Sequence, residues 1–509
     1  MAGIALEPAD FHNQALLAQA HPADWVNPRP HPGGYDLVVV GGGTAGLVTA
    51  AGAAGLGARV ALVERHLMGG DCLNYGCVPS KALLRSARAA KEVLRAAEFG
   101  VRVEGSVHVD FGAAMERMRR LRASISPHDS AARFRELGVD VFLGEGVFTG
   151  PGSLRVDGRV ELRFRKGVVA TGTHARIPPI AGLAESGCLT HETFFSLTER
   201  PPRVAVIGGG PIGCELAQCL ARLGSRVWLF HNKAAVLDRE DPAASRLIAR
   251  SMAADGVTVV ASARVDQVSR AGQGMRRIRF QSPEQGTSDV EVEAVLVAVG
   301  REPNILGLGL EAAGVAANGR EGVLVDDRLR TTNPRVYACG DVCSRHRFTH
   351  AADAMARIVI QNALFLGRRR VSDLVIPRCT YTDPELAQVG MTPGEALRSG
   401  VAVDTYTRPL SGVDRARLDG DEEGFVQVLV ARGTDRIVGA TVVAPHAGES
   451  ISELTVALQS GVGLGRLAGV IHPYPTVAEA IRQCGDAYQR TRLTPGVRTW
   501  LGRWLAWRR

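Results

Sequence analysis

An α/β architecture is what the sequence predicts: two parallel sheets, each opened by a glycine turn, with a third, α+β unit after them. Three observations carry it. First, the mostly apolar run Tyr35-Asp-Leu-Val-Val-Val40 passes directly into Gly41-Gly-Gly-Thr-Ala-Gly46, then a small-residue helix, then a second apolar run, Arg59-Val-Ala-Leu-Val-Glu64. Continuous apolar runs of this length suit strands buried on both faces of a parallel sheet. Second, the same order returns at Arg203-Val-Ala-Val-Ile207, Gly208-Gly-Gly-Pro-Ile-Gly213, a helix to Leu223, and Ser225-Arg-Val-Trp-Leu-Phe230. Third, from Pro377 the pattern turns strand-rich with two helices.

The bulk numbers agree. A chain of 509 residues is too long for one core. Hydrophobic residues at 45% and charged residues at 22% suit a soluble globular enzyme. The formal charge of +8 is read as a solvated basic surface that suits anionic cofactors, with no nucleic-acid partner. Nine cysteines over so long a chain are not the dense paired framework of a small secreted protein. The first 34 residues have no apolar signal core, and no run of apolar residues is long enough to span a bilayer. A cytoplasmic enzyme is expected.

Along the chain, residues 1–34 form an extension with one short helix near Phe11 to Ala20 and a Pro-rich stretch to Pro32. Between the two glycine turns the pattern predicts helices at 79–98 and 110–138, then short strands to Ala170. After 300 come strands and a helix over 350–367. The tail, 490–509, is basic and amphipathic. Trp500, Leu501, Trp504 and Leu505 share one helical face, with arginines around them. Packing on the protein's own body or on a dimer partner is expected of that face, in preference to a membrane surface.

Each glycine turn has the spacing of a dinucleotide site. In such a site the first glycine permits the tight turn, the second lets backbone amides approach a pyrophosphate, and the third lets helix and strand pack closely. Gly41, Gly43 and Gly46 fill these places, and Glu64 at the end of the next strand can accept from a ribose diol. Gly208, Gly210 and Gly213 fill them again, but the following strand ends in His231-Asn232-Lys233, with no carboxylate. An acid there would bind the ribose of NADH and repel a 2′-phosphate. A polar and basic end therefore predicts NADPH over NADH. Two Rossmann-like dinucleotide-binding domains follow.

Gly69-Gly-Asp-Cys-Leu-Asn-Tyr-Gly-Cys-Val-Pro-Ser-Lys81 comes just after Glu64. Four residues between Cys72 and Cys77 do not match zinc spacing, and no site for a resident metal is read anywhere in the chain. Pro79 suits a helix start, which puts Cys77 near a helix N-terminus that favours a thiolate. This stretch closely resembles the redox-disulfide motif of the class I pyridine nucleotide–disulfide oxidoreductases, and the resemblance extends over about residues 35–485. It implies FAD in the first site. It makes Cys77 the thiol facing the flavin, Cys72 the interchange thiol that meets the substrate, and Lys81 a partner of Glu215 beside the flavin. Further stretches resemble the family in order. Gly146 would lie near adenine. Thr171 and Gly172 resemble the crossover, Gly300 and Arg301 the nicotinamide-side return, and Asp341 the ribityl-binding acid. The implied division is an FAD domain at 35–184 and 304–375, an NAD(P) domain at 185–303, and a dimerisation domain at 376–489. Cys339 and Cys484 are read as packed small side chains.

The family's disulfide reductases place an acid–base histidine before a Pro-Thr, with a glutamate three residues after the threonine, both supplied by the partner of a homodimer. Here the stretch is His472-Pro-Tyr-Pro-Thr-Val-Ala-Glu479. Aligned on Pro-Thr, the acid–base position is Tyr474 and the glutamate is Glu479. His472 falls two residues early and is the alternative acid–base. A tyrosine titrates near ~10 and is a poor base at neutral pH. Tyrosine here resembles mercuric reductase within the family, which implies a metal-ion acceptor. No cysteine pair near the C-terminus accompanies it. Small-disulfide and quinone reduction remain as alternatives, and a redox-sensing interaction protein is a reading of another class.

Overall fold

A computed structural model of the chain describes residues 4–272 and 274–509, so the first three residues of the N-terminal extension lie outside the description. The helix expected in that extension is present as Phe11–Ala20.

The first sheet forms around Tyr35–Val40, whose apolar side chains are buried because both faces are covered. Val60–Glu64 pairs with it in parallel on one side, Leu37 against Val60, and Val139–Leu143 lies beyond. On the other side runs Val160–Val169, Leu37 against Lys166. That strand is long enough to serve two partners. Its last residues pair in parallel with Val336–Ala338, and its first residues pair in antiparallel fashion with Ser153–Val156, which continues to Gly146–Gly150. Residues on either side of the second glycine unit thus share one sheet.

The second sheet is parallel throughout, in the order Val257–Val260, Arg226–Phe230, Arg203–Ile207, Ala294–Val297. A three-stranded antiparallel ribbon, Arg264–Arg270, Arg276–Ser282 and Gly286–Val292, extends from it. The two passages between the sheets, Thr173–Ala175 and Arg301–Pro303, pair with each other. The third sheet is antiparallel, in the order Arg378–Thr380, Glu385–Gly390, Ile437–Ala444, Phe425–Ala431, Val403–Pro409. The helices Ala447–Gln459 and Glu479–Thr491 accompany it, as the α+β expectation requires.

A buried ion cluster joins the units. Arg222, at the end of the helix Pro211–Arg222, reaches Asp255 at 2.7 Å and Asp383 at 2.7 Å. Lys91 from the long helix Cys77–Arg95 reaches the other oxygen of Asp255 at 2.8 Å.

Two expectations change. The helix expected over 110–138 is broken: Phe111–Ile125 ends in a short 3-10 turn, Ser126–Asp129, and Ser130 caps a new helix, Ala131–Glu136. Pro127 is the cause, since its ring and missing N–H cannot continue the first helix. The tail does form a helix, Pro495–Trp507, but none of its residues is buried. It does not pack on the protein's own body. Thr494 caps it and Pro495 starts it, so it begins as a helix separate from Glu479–Thr491.

Candidate active site

The two glycine turns are built alike. Gly41 and Gly208 have φ of 109° and 116°, and a Cβ on either would strike a carbonyl of the neighbouring crossover, Ala170 O at 2.3 Å or Ala298 O at 2.4 Å. A Cβ on Gly46 or Gly213 would lie 1.8 Å from the carbonyl of Gly41 or Gly208. Gly43 and Gly210 meet no tight contact, so a phosphate can approach their backbone. These features fit a dinucleotide at each turn.

The ends of the second strands also correspond. Buried Glu64 accepts from Gly42 N–H and, at 2.6 Å, from His66 N–H. Burial raises its pKa, and the two amides oppose that. His231 takes the same place in the second unit, where its Nδ1 lies 3.2 Å from Gly209 N as an acceptor. Burial lowers its pKa, so it is neutral there, with its proton on Nε2. The nearest carboxylate is Asp238, 3.6 Å from Nε2. Asn232 and Lys233 are exposed beside it. Gly146 opens its strand against Val63, next to Glu64.

Cys72 lies in the one-turn helix Gly70–Asn74, and Cys77 is the first residue of Cys77–Arg95, as its motif predicts. Both are free thiols; Cys72 is half-buried and Cys77 open on one side. Thr349 Oγ1 is 3.3 Å from Cys77 Sγ and begins a second helix, Thr349–Leu364. Neither helix has a side-chain cap, and Cys77 and Thr349 are their first residues, so the positive ends of two helices lie close to the thiol. The hydrogen bond from Cys72, then that from Thr349 and the charge of Lys81, hold the Cys77 pKa well below the thiol range against the opposing effect of burial. The same bond, with burial, pushes Cys72 up. Lys81 Nζ is 2.8 Å from Glu215 Oε2 and 4.4 Å above the Tyr381 ring. Glu215 Oε1 accepts from Tyr381 N–H at 2.9 Å.

A polar chain runs from the cysteine motif to the crossovers. Asp71 Oδ1 lies 2.9 Å from His191 Nε2, and Asp71 Oδ2 lies 3.1 Å from Arg301. Arg301 also reaches His191 Nε2 at 2.9 Å and donates to Thr173 Oγ1 at 2.7 Å; Thr173 donates to Asp341 at 3.3 Å. Burial alone would raise Asp71, but His191 and Arg301 outweigh it and hold it at about 2. Asp341 is raised by burial, with Arg301 opposing. Thr171 and Gly172 are locked to the second crossover: Thr171 Oγ1 donates to Asn304 O at 2.7 Å, and Gly172 O accepts from Asn304 N–H at 3.0 Å. Gly300 O accepts from Arg176 N–H at 3.1 Å.

Sequence reasoning missed Thr349, Tyr381, His191, Thr173 and Asp71. Only Asp71 carried a signal, a carboxylate directly before Cys72.

The C-terminal residues do not meet the cysteines within one chain. Tyr474 is 70% exposed and donates to Asp414 Oδ2 at 2.9 Å. That bond and the Asp414 charge raise its pKa. His472 Nε2 is 2.9 Å from Glu453, and Glu479 is held by Arg482 at 2.8 Å. His472 is therefore not the partner of Glu479. Cys339 and Cys484 are buried small side chains, as expected.

Comparison with known proteins completes the description. Residues 35–356 match the family described as pyridine nucleotide-disulphide oxidoreductase, and residues 376–484 match its dimerisation domain. A mercuric reductase of Streptomyces lividans is 34% identical over 89% of this chain and 96% of the relative. A dihydrolipoyl dehydrogenase of Chlorobaculum tepidum is 34% identical over 89% of this chain and 97% of its own. Among solved structures, the Cu(II) complex of the HOCl-induced flavoprotein disulfide reductase RclA from Escherichia coli superposes with a TM-score of 0.79 at 28% identity. It covers 89% of this chain and 99% of that one. LpdA from Mycobacterium tuberculosis gives 0.80 at 28% identity, with the same coverage.

Proposed function

The chain belongs to the pyridine nucleotide-disulphide oxidoreductases, and from that premise we propose that it is an NADPH-dependent reductase whose Cys72–Cys77 dithiol reduces a thiophilic metal ion. It is an enzyme of a flavoprotein family, FAD is the cofactor expected of that family, and its dimerisation domain supports a homodimer.

The chemistry a bound flavin supplies is the relay of two electrons between nicotinamide and cysteine pair. The chain's own residues do the rest. Gly41, Gly43, Gly46 and Glu64 would hold the pyrophosphate and ribose of FAD, Gly146 the adenine end, and Thr171, Gly172 and Asp341 the ribityl side. Lys81, paired with Glu215, adds a positive charge that helps the Cys72 and Thr349 hydrogen bonds to favour the Cys77 thiolate. Gly208, Gly210 and Gly213 would hold the nicotinamide dinucleotide, with Gly300 and Arg301 on its nicotinamide side. His231 stands where a carboxylate would repel a 2′-phosphate, and Lys233 beside it supports NADPH over NADH.

The observation that carries the acceptor is Tyr474. Its phenol donates to Asp414, and that bond and the Asp414 charge hold its proton more tightly than in an ordinary tyrosine, so it is a poor proton donor to a leaving thiolate at neutral pH. Reduction of a disulfide requires a proton for the leaving thiol. A soft metal ion requires only thiolates. Oxidation of the dithiol to a disulfide releases two electrons, which reduce one Hg(II) to Hg(0) or two Cu(II) to Cu(I). The name of the Streptomyces relative and the Cu(II) complex of the E. coli structure fit this class of acceptor.

The His472–Glu453 pair favours a second reading, a small-disulfide reductase with a displaced histidine. NADPH oxidation against Hg(II), Cu(II), small disulfides and quinones separates the two. Metal turnover should dominate, NADPH should exceed NADH in kcat/KM, and Tyr474→His should raise disulfide turnover. Disulfide turnover that dominates and is lost in His472→Ala would overturn the metal reading.

A further inference from the structure

The helix Pro495–Trp507 begins past residue 484, where the match to the dimerisation domain ends. Val497, Trp500, Leu501, Trp504, Leu505 and Trp507 fall within an arc of about 160° at 100° per residue. The other side carries Arg498, Thr499, Gly502, Arg503 and Ala506, and Arg508, the residue that ends the helix, falls at the middle of the apolar arc at its C-terminal edge. Trp500 is 62% exposed and Trp507 76%, and the three indoles lie in a row, with centroids 6.2 and 5.2 Å apart. From residue 487 to the C-terminus there is no acidic residue, and arginine stands at 490, 492, 498, 503, 508 and 509.

We propose that this helix is a membrane-surface anchor, which lays its tryptophan face into the interfacial layer of an anionic lipid bilayer. The indole suits that layer, with an apolar body and one N–H for the headgroup region. Arginines flanking the apolar arc meet the lipid phosphates, and their side chains are long enough to reach out from an embedded helix. At 13 residues the helix is about 20 Å long, too short to cross the hydrocarbon layer, and no helix among the described residues is long and apolar enough to do so. It therefore lies on the surface. A second copy of the chain is the weaker occupant on charge. The chain carries a net +8, so an acid-free basic helix finds no overall complementary charge in another copy.

The test uses full-length, FAD-loaded enzyme floated with vesicles of equal parts phosphatidylglycerol and phosphatidylcholine, and with phosphatidylcholine alone. Flotation is expected with the anionic vesicles and should be at least about tenfold weaker with the neutral ones or in high salt. Three of the five tryptophans are in the tail, so binding should shift the emission to the blue. The variant Trp500→Ser/Trp504→Ser/Trp507→Ser should lose flotation while remaining a dimer and keeping its NADPH oxidation in solution. Absence of flotation by the unaltered enzyme overturns the proposal. So does flotation that survives the triple substitution. A triple variant that falls apart to monomers assigns the face to a second copy and overturns it as well.

Discussion

Cys77 draws its reactivity from groups that arrive from three parts of the chain: Cys72 beside it, Lys81 one helical turn on, and Thr349 from a distant helix. A pKa below the thiol range means the thiolate survives at pH values where a free cysteine, near ~8.5, is protonated. It is lost only as pH falls through the lowered value. The rate of Cys77 alkylation, followed by mass spectrometry against pH, should therefore have its midpoint below that of a free thiol. Lys81→Met and Thr349→Val should each move it upward; a profile indifferent to both would sink the electrostatic account. Cys77→Ser should retain FAD yet lose turnover with the acceptor by at least about a hundredfold. At this scale the sequence was legible where the chemistry is contiguous. The glycines and cysteines stand in fixed local spacings because one turn of backbone needs them all. Thr349, His191 and Asp414 meet Cys77, Asp71 and Tyr474 across more than fifty residues, and no local pattern encodes those contacts.

Elements were legible for a related reason. Tyr35–Val40, Val60–Glu64 and Arg203–Ile207 emerge close to their expected bounds because burial on both faces writes itself as an uninterrupted apolar run. The helix expected at 110–138 extended too far, since its periodicity continues through Pro127 while its hydrogen bonds do not. What holds elements together was not readable. Arg222 is 7% exposed and Asp255 2%, and with Lys91 and Asp383 they tie the helices Cys77–Arg95, Pro211–Arg222 and Pro242–Ala254 and the edge of the third sheet into one seam. Removing one member of a buried pair costs up to about 3–5 kcal/mol when the other charge is left unpaired. Loss of Arg222 leaves Asp255 with only Lys91 and takes the cation from Asp383. Arg222→Leu should therefore lower the thermal midpoint and the denaturant midpoint markedly. Arg279→Leu, which breaks an exposed pair with Asp289, should change little. Equal effects of the two would contradict the seam.

At the scale of the whole molecule, the chain is incomplete as a catalyst in the reading proposed here. Cys72 and Cys77 lie at the first sheet, whereas Tyr474 and Glu479 lie in the C-terminal unit with no bond to either cysteine in the same chain. In that reading the homodimer that the dimerisation domain supports would join them, with one chain's C-terminal residues over the partner's cysteines. Mixed dimers test this directly. One chain carries Cys72→Ser; the other keeps its cysteines but carries His472→Ala, Tyr474→Ala and Glu479→Ala. Each homodimer should lose most of its turnover with the acceptor, one for want of Cys72 and the other for want of the side chains that would line the acceptor's approach to the cysteines. If sites form across the interface, a mixed dimer contains one site with intact cysteines and an intact C-terminal set, and one site lacking both. Random pairing of equal amounts makes half of the dimers mixed, so about a quarter of the activity of the unaltered enzyme should return. If each chain completes its own site, no combination holds both sets in one place and the mixture stays inactive. Refolding the two chains together, and comparing acceptor-dependent NADPH oxidation with that of the chains refolded apart, separates the outcomes. Recovery would also explain why the sequence of one chain looks discordant at its C-terminal end: Tyr474 is exposed because the surface it serves belongs to the other subunit.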